Sequence, residues 1–239
     1  MQYKLFTDKG NREWNEDYIG MTSRNDRYLF VLADGLGGHG KGEIASQLVV
    51  EMVIRYYMEQ QDIPDIGSCI QYAQEQLLIK QEAEYNKDGM KTTIVVLEIA
   101  DNKARWAHVG DSRLYVFHRN RVVGRTLDHS VPQMLVASGE IKDKDIRGHE
   151  DRNRLLRVLG VEWNRAMYEV SEWFPLKKGQ AYMLCTDGFW ELIEEKQMER
   201  FLKKSKSIEA WLENMVTWVR KQGIGKDMDN FSSITVLID

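Results

Sequence analysis

The chain has 239 residues, 43% of them hydrophobic and 29% charged, enough to bury a core and ordinary for one globular domain over residues 1–239. Its formal net charge of −4 comes without any dense Lys/Arg cluster, which argues against nucleic acid as a partner. No apolar run approaches the ~18 residues of a membrane span, the N-terminal stretch lacks a signal-peptide core, and Cys69 and Cys185 are not spaced as a metal motif, so no membrane association and a cytoplasmic location are expected.

In chain order, residues 27–33 (RYLFVLA) read as a buried strand. Ile44, Leu48, Val49, Met52, Val53, Tyr56 and Tyr57 recur at helical spacing and predict an amphipathic helix over 43–58. A second helix is expected from Ile66 to Tyr85. Four apolar runs follow, at 92–99, 104–110, 113–118 and 121–124, with short turns between them. Strands joined so tightly pair antiparallel, because parallel neighbours need crossovers of about a dozen residues. Ser130 can cap a short helix ending near Ala137, with Gly139 just beyond it. Residues 167–174 (MYEVSEWF) and 180–186 (QAYMLCT) read as two more strands, and Cys185 packs there as a small hydrophobe. Ile208, Trp211, Leu212, Met215, Val216 and Val219 mark a helix stopping near Gly223, and 231–238 (FSSITVLI) reads as a closing strand. No linker or repeat divides the chain, and the order implies an α+β plan with antiparallel sheets rather than βαβ alternation.

The loop after the first strand contains two overlapping phosphate motifs. Gly35, Gly37 and Gly40 fit G-x-G-x-x-G, and Gly35, Gly40 and Lys41 fit the start of G-x-x-x-x-G-K. Neither survives inspection. No apolar strand follows the helix, as a dinucleotide unit requires, and Gly42 stands where a P-loop needs Ser or Thr. Asp34 would also repel a phosphate, by ~4 kcal/mol at ~4 Å and an effective dielectric near 20. Other acids sit at the ends of apolar runs as well: Asp111, Asp187, Asp229 beside Asn230, and the pair Glu16 and Asp17. Each alone is an ordinary turn residue. Gathered together they would repel one another and require hard cations, of which magnesium and manganese accept carboxylate oxygen. The five histidines look scattered and do not suggest zinc.

Seven blocks carry a resemblance that spans nearly the whole chain: NED (15–17), ADGLGGHGKGEIAS (33–46), AHVGDSRLYVF (107–117), LDHS (127–130), RNRLLRVLG (152–160), CTDG (185–188) and DNFSSITVL (229–237). In content, order and approximate spacing they resemble the metal-dependent type 2C serine/threonine protein phosphatases in their compact bacterial form. The resemblance implies a four-layer α/β/β/α sandwich of two packed, mainly antiparallel sheets flanked by helices, with a metal site at one end. It implies two manganese or magnesium ions, bridged by Asp34 and further held by the Gly35 carbonyl, Asp187, Asp229 and Asp17. Glu16 and Asn230 support the site, Asp111 helps hold a third, weaker ion, and Arg12 grips the substrate phosphate. The chemistry implied is direct attack of a metal-bridging hydroxide on phosphoserine or phosphothreonine, with no phospho-enzyme. The implied partners are phosphorylated proteins, a cognate serine/threonine kinase among them, and a monomer is expected.

This chain departs from the family pattern in places. Eukaryotic members have a histidine directly after the first Asp-Gly, where Leu36 stands here. His39 shares that loop, and capping or packing suits it better than acid catalysis. The Gly-Thr-Thr of the family is Lys91-Thr92-Thr93. Residues 139–160 resemble a flap beside the site, and its charges suit either substrate contact or a solvated loop. Cysteine phosphatase chemistry is excluded, because Glu191 and Glu75 occupy the arginine position relative to Cys185 and Cys69. Asp143-x-Asp145 has no strand before it and reads as a solvated turn, with Arg154 where a calcium loop would end in Glu. Gly110-Asp111 is followed by Ser112 and Arg113 rather than the histidines of a calcineurin-type enzyme. The alternative function is a catalytically inactive phosphoprotein-binding or sensor module of the same fold, disfavoured because Arg12, Asp34, Asp187 and Asp229 are all present. A metal-dependent phosphodiesterase would share the carboxylates but not the ordered blocks.

Overall fold

A computed structural model describes residues 1–37, 41–85 and 89–238. Three strands come first, β1 (Gln2–Asp8), β2 (Asp17–Arg24) and β3 (Arg27–Leu36), then two long helices, α1 (Gly42–Glu59) and α2 (Ile66–Ala83). Five strands follow: β4 (Lys91–Thr92), β5 (Ile94–Ala100), β6 (Lys103–Val109), β7 (Arg113–His118) and β8 (Arg121–Arg125). Helix α3 (Val131–Ser138) and a 3-10 helix at Asp143–Gly148 precede β9 (Glu169–Val170), β10 (Phe174–Pro175) and β11 (Gln180–Cys185). The chain continues through α4 (Asp187–Trp190), α5 (Glu195–Lys204), α6 (Ile208–Gly223) and β12 (Phe231–Leu237). No helix among the described residues is long and apolar enough to cross a membrane.

The strands form two antiparallel sheets. One has the order β1-β12-β11-β7-β8, the other β10-β6-β5-β3-β2, with β4 added to β3 and β9 to β6. Side chains alternate across each strand, and in the central strands both faces are apolar. In β3, Leu29, Val31 and Ala33 pack with Val49, Val53 and Ile70 of α1 and α2, while Phe30 and Leu32 pack with Leu184 and Ile234 of the other sheet. In β11, Tyr182 and Leu184 point to that same inter-sheet layer, and Ala181, Met183 and Cys185 join Trp211 and Met215 of α6. The result is the helix/sheet/sheet/helix sandwich that the resemblance implies. Double burial explains why β3, β5 and β11 read as unbroken apolar runs, since each fully buried side chain contributes ~1.5–3 kcal/mol. Ser130 accepts a hydrogen bond from the Gln133 N–H and Gly139 sits at φ 82°, so α3 is capped as its sequence predicts.

Four features differ from the sequence-based expectation. Among the described residues strand β1 pairs only with β12, and it is mostly exposed, so it has no apolar signature. Helix α5 is absent from the expected elements, although Met198, Phe201 and Leu202 recur at helical spacing and pack on the core among charged neighbours. The expected strand at 167–174 reduces to two short pairings, β9 and β10 against β6, because between them the Ser171 hydroxyl, 2.9 Å away, replaces a backbone carbonyl as acceptor for the Trp106 N–H. The Asp143-x-Asp145 segment is solvated as expected but is wound into a 3-10 helix, with Ile146 buried and Asp145 accepting the Lys142 N–H at 3.0 Å.

Candidate active site

The site forms where strand ends from the two sheets meet. Strands β2 and β3 pair in a register that sets Asp17 opposite Asp34. Two threonines hold the Asp34 backbone. Its carbonyl accepts from the Thr93 N–H (2.9 Å) and the Thr92 hydroxyl (2.8 Å), and its N–H donates to the Thr93 hydroxyl oxygen (3.1 Å). The Thr93 hydroxyl is also 2.7 Å from that of Ser112, which ties Asp34 to the loop carrying Asp111. The Gly35 N–H donates to the Glu16 carbonyl at 3.0 Å. A Cβ at Gly35 would collide with the Gly42 and Glu16 carbonyl oxygens, so only glycine fits the passage from strand to helix.

Asp111 lies in the β6–β7 turn, and its carbonyl accepts from the Trp190 indole N–H at 3.0 Å. Asp187 opens α4 at the end of the central strand β11. Just before it, the Thr186 hydroxyl donates to Asp17 Oδ2 (3.0 Å) and accepts from the Ser232 N–H (3.0 Å). At the start of β12, the Asn230 amide nitrogen donates to the Lys9 and Trp14 carbonyls (both 2.9 Å), and its oxygen accepts from the Glu16 N–H (2.8 Å). Asn230 therefore fastens the loop that carries Arg12. Arg12 lays its fork on Asp229, with Nε and Nη2 each 3.1 Å from one carboxylate oxygen, and Nη1 is 3.2 Å from Asp227.

Except for Asp17, every residue singled out in the sequence lines one cleft of about 380 Å³. Asp17 lies beneath it, 5% exposed, and its Oδ1 has no hydrogen-bond partner among the described residues. His39 lies outside the described residues. Burial pushes the Asp17 carboxyl up to about 8, against the hydrogen bonds from Ser232 and Thr186, and Asp187 and Asp229 add to the rise. Asp34 is held well above the usual carboxylate range by burial and then by Asp187, Asp17, Asp111 and Asp229. Asp111 is raised by burial and by Asp187, and Asp187 by burial and by Asp229. Glu16 is raised by burial and by Glu43. Such a group of crowded, buried carboxylates fits divalent cations: the donors are all oxygen, and Asp17 Oδ1 is a buried acceptor with no hydrogen-bond partner among the described residues.

Sequence reasoning missed several contributors. Trp14, 68% exposed, stands at the rim two residues beyond Arg12. Asn153 and Leu155, from the 139–160 segment, line the same cleft. The support given by Thr92, Thr93 and Ser112 depends on cross-strand contacts that have no local signal. The histidines are also less scattered than they look. His108 and His129 stack at 4.5 Å, with Glu169 3.1 Å from His129 Nε2. Among the described residues these three bring ligand-type atoms within 4.8 Å of one another, and here Glu169 is shared between His129 and Arg157. His129 Nδ1 accepts the Gly110 N–H (3.2 Å), so Nε2 keeps the proton that faces Glu169, and Arg157 stands 3.0 Å from the same carboxylate. Burial holds His129 down at about 4, consistent with a neutral ring.

Comparison with known proteins points in one direction. The profile of the Protein phosphatase 2C family matches residues 9–231. The serine/threonine phosphatase stp of Listeria welshimeri is 32% identical over 248 aligned positions, covering 100% of this chain and 95% of that protein. The crystal structure of serine/threonine phosphatase Stp1 from Staphylococcus aureus superposes with a TM-score of 0.90 at 27% identity, covering 100% of this chain and 95% of the other. The catalytic domain of the serine/threonine protein phosphatase PstP, solved with two manganese ions, shares the fold at a TM-score of 0.82 and 24% identity, over 100% and 98% of the two chains.

Proposed function

Because the chain belongs to the protein phosphatase 2C family and is a phosphatase, we propose that it hydrolyses phosphoserine and phosphothreonine in proteins with two manganese or magnesium ions. The observation that carries this reading is the convergence of Asp34, Asp187, Asp229 and the buried Asp17 on one cleft with Arg12 at its mouth. Asp17, Asp34, the Gly35 carbonyl, Asp187 and Asp229 would hold the two ions, with Asp111 toward a third. When bound, divalent cations supply Lewis acidity and bring the pKa of water toward neutrality.

The rest falls to the chain's own groups. Arg12 has a planar fork that suits two phosphoryl oxygens, and its charge offsets the negative charge that grows on them during transfer. In the structure that fork rests on Asp229, so engaging phosphate means exchanging one pair of oxygens for another. Thr92 and Thr93 keep Asp34 in place, and Asn230 does the same for the Arg12 loop. Glu16 supports the wall of the cleft. The segment 139–160 would act as a flap, bringing Asn153 and Leu155 against the substrate. The partners are then phosphorylated proteins of the cytoplasm, a kinase's own phosphorylated segments among them, and the enzyme acts as a monomer. The test is release of phosphate from a phosphothreonine peptide with manganese, with magnesium and with EDTA. Full activity in metal-free buffer would sink the reading.

A further inference from the structure

The active-site cleft does not end at Arg12. A cleft of about 340 Å³ carries Arg12, Asp187 and Asp229 onward to Arg152. A larger one of about 610 Å³ lies beyond it, bounded by Lys196 and Arg200 of α5 and Trp218 of α6. The two share Arg147, Glu191, Leu192 and Lys226, so a polypeptide lying in one runs on into the other. The charges of the larger cleft are unequal: Arg147, Lys196, Arg200 and Lys226 face Glu191 and Glu194.

Those cations differ in availability. Arg147 is committed, at 2.8 Å from Glu195 and bonded to the Trp190 and Ile193 carbonyls. Glu191 is paired with Arg152 at 3.1 Å. Lys196, Arg200 and Lys226 are exposed and have no carboxylate within ion-pair distance among the described residues. Lys196 and Arg200 are four residues apart and so share one face of α5. Together with Lys226 they leave this cleft with an excess of positive charge on a chain whose net charge is −4. Trp218, half-buried and edge-on to Phe201 at 6.0 Å, gives the cleft an apolar floor.

We propose that this cleft is a substrate subsite, in which Lys196, Arg200 and Lys226 receive aspartate or glutamate side chains that flank the phosphorylated residue. The inference rests on the phosphatase reading of the neighbouring carboxylates and adds to it a preference for acidic segments. Exposed pairs of this kind contribute little singly, so two or three together amount to about a five- to tenfold preference, carried by KM and weakened by salt.

The experiment compares four phosphothreonine peptides on the full chain with manganese: alanine flanks, glutamates before the phosphothreonine, glutamates after it, and a second phosphoserine in place of the glutamates. p-Nitrophenyl phosphate, which has no flanking chain, is the reference substrate. The wild type should prefer glutamate on one flank by about five- to tenfold in kcat/KM. Lys196→Glu/Arg200→Glu, or the milder Lys196→Gln/Arg200→Gln if the reversal does not fold, should abolish that preference and leave turnover of p-nitrophenyl phosphate unchanged. Equal turnover of all peptides by the wild type would overturn the subsite alone. So would an equal loss on p-nitrophenyl phosphate in the variant, or a preference for the second phosphate without one for glutamate. Turnover of no substrate would overturn the phosphatase reading together with the subsite.

Discussion

Asp17 and Asp34 are direct cross-strand partners in the β2–β3 ladder. Like charges in that relation destabilise a sheet. The fold keeps them there, one buried beneath the cleft and the other on its wall, and adds Asp111 and Asp187 to the same field. Stability near the site is thus set by protons or cations.

The first prediction is a reversal of pH dependence by metal. Asp17, raised to about 8, and Asp34, Asp111 and Asp187, also raised, bind protons more tightly folded than unfolded. Their contribution to stability is complete below the ordinary carboxylate range and is lost as pH rises through the folded values. In EDTA, Tm should therefore fall between about pH 6.5 and 8.5. Saturating manganese favours the charged carboxylates and should flatten or invert that slope. His129 has the opposite sign, since its lowered value removes stability only as pH falls below its ordinary range, outside this window. Differential scanning fluorimetry reads both curves, and a flat curve in EDTA counts against the account.

Asp34→Asn and Asp187→Asn separate activity from stability. Each removes a repelling charge at nearly constant shape, so Tm in EDTA should hold or rise. Turnover should drop by more than about 100-fold, since even groups behind metal ligands cost about 10–100-fold when lost. A Tm drop of several degrees in EDTA would contradict the repulsion argument.

Much of this was legible in the sequence, for reasons that also mark its limits. The runs at β3, β5 and β11 stand out because both faces are buried, and α1 and α6 because their apolar residues recur at helical spacing. Asp34, Asp111 and Asp187 stand out because each ends such a run. Strand β1 does not, because pairing at an edge leaves little apolar pattern, and α5 offers only a short one, Met198, Phe201 and Leu202, set among charged residues. The grip of Arg12 on Asp229 joins residues 217 positions apart, and the bonds from Thr93 to Asp34 and Ser112 cross strands. Such relations exist only once the chain has folded.

Arg12→Lys tests the fork against the charge alone. Lysine keeps the charge but cannot make two parallel bonds, so kcat/KM should fall about tenfold, and further in Arg12→Ala. Asp227→Ala, which removes only the outer partner, should stay within about threefold. If Arg12→Lys is as active as the wild type, Arg12 is only a nearby cation.

Thr93→Val keeps the shape of the side chain and removes the hydroxyl that serves Asp34 and Ser112. The cost should be about 1–3 kcal/mol of unfolding free energy, the usual penalty for stranding buried polar groups. Urea titration measures it. The manganese concentration for half-maximal activity should rise with it, and an unchanged value would mean that Asp34 needs no such support.

Arg113 and Asp128 form a buried ion pair at 2.6 Å, each side chain 1% exposed, with the guanidinium 3.4 Å from the centre of the Trp190 ring. Because Trp190 also holds the Asp111 carbonyl, the pair braces the site from behind. Asp128→Asn or Arg113→Met alone should cost about 3–5 kcal/mol, and the double variant less than their sum. Strict additivity in chemical unfolding would argue against the pairing.

Strand β12 lies between β1 and β11 and directly follows the clamp residue Asn230 and its neighbour Asp229. Residues 229–237 lie far along the chain from β1 and β2, yet without them β1 has no neighbour in its sheet among the described residues, and Thr186, which donates to Asp17, loses its bond from the Ser232 N–H. During synthesis, the carboxylates on the earlier strands wait beside a gap in the sheet. A variant lacking residues 229–237 should therefore lose the Asp229 carboxylate and the pairing of β1 together, and phosphate release with them.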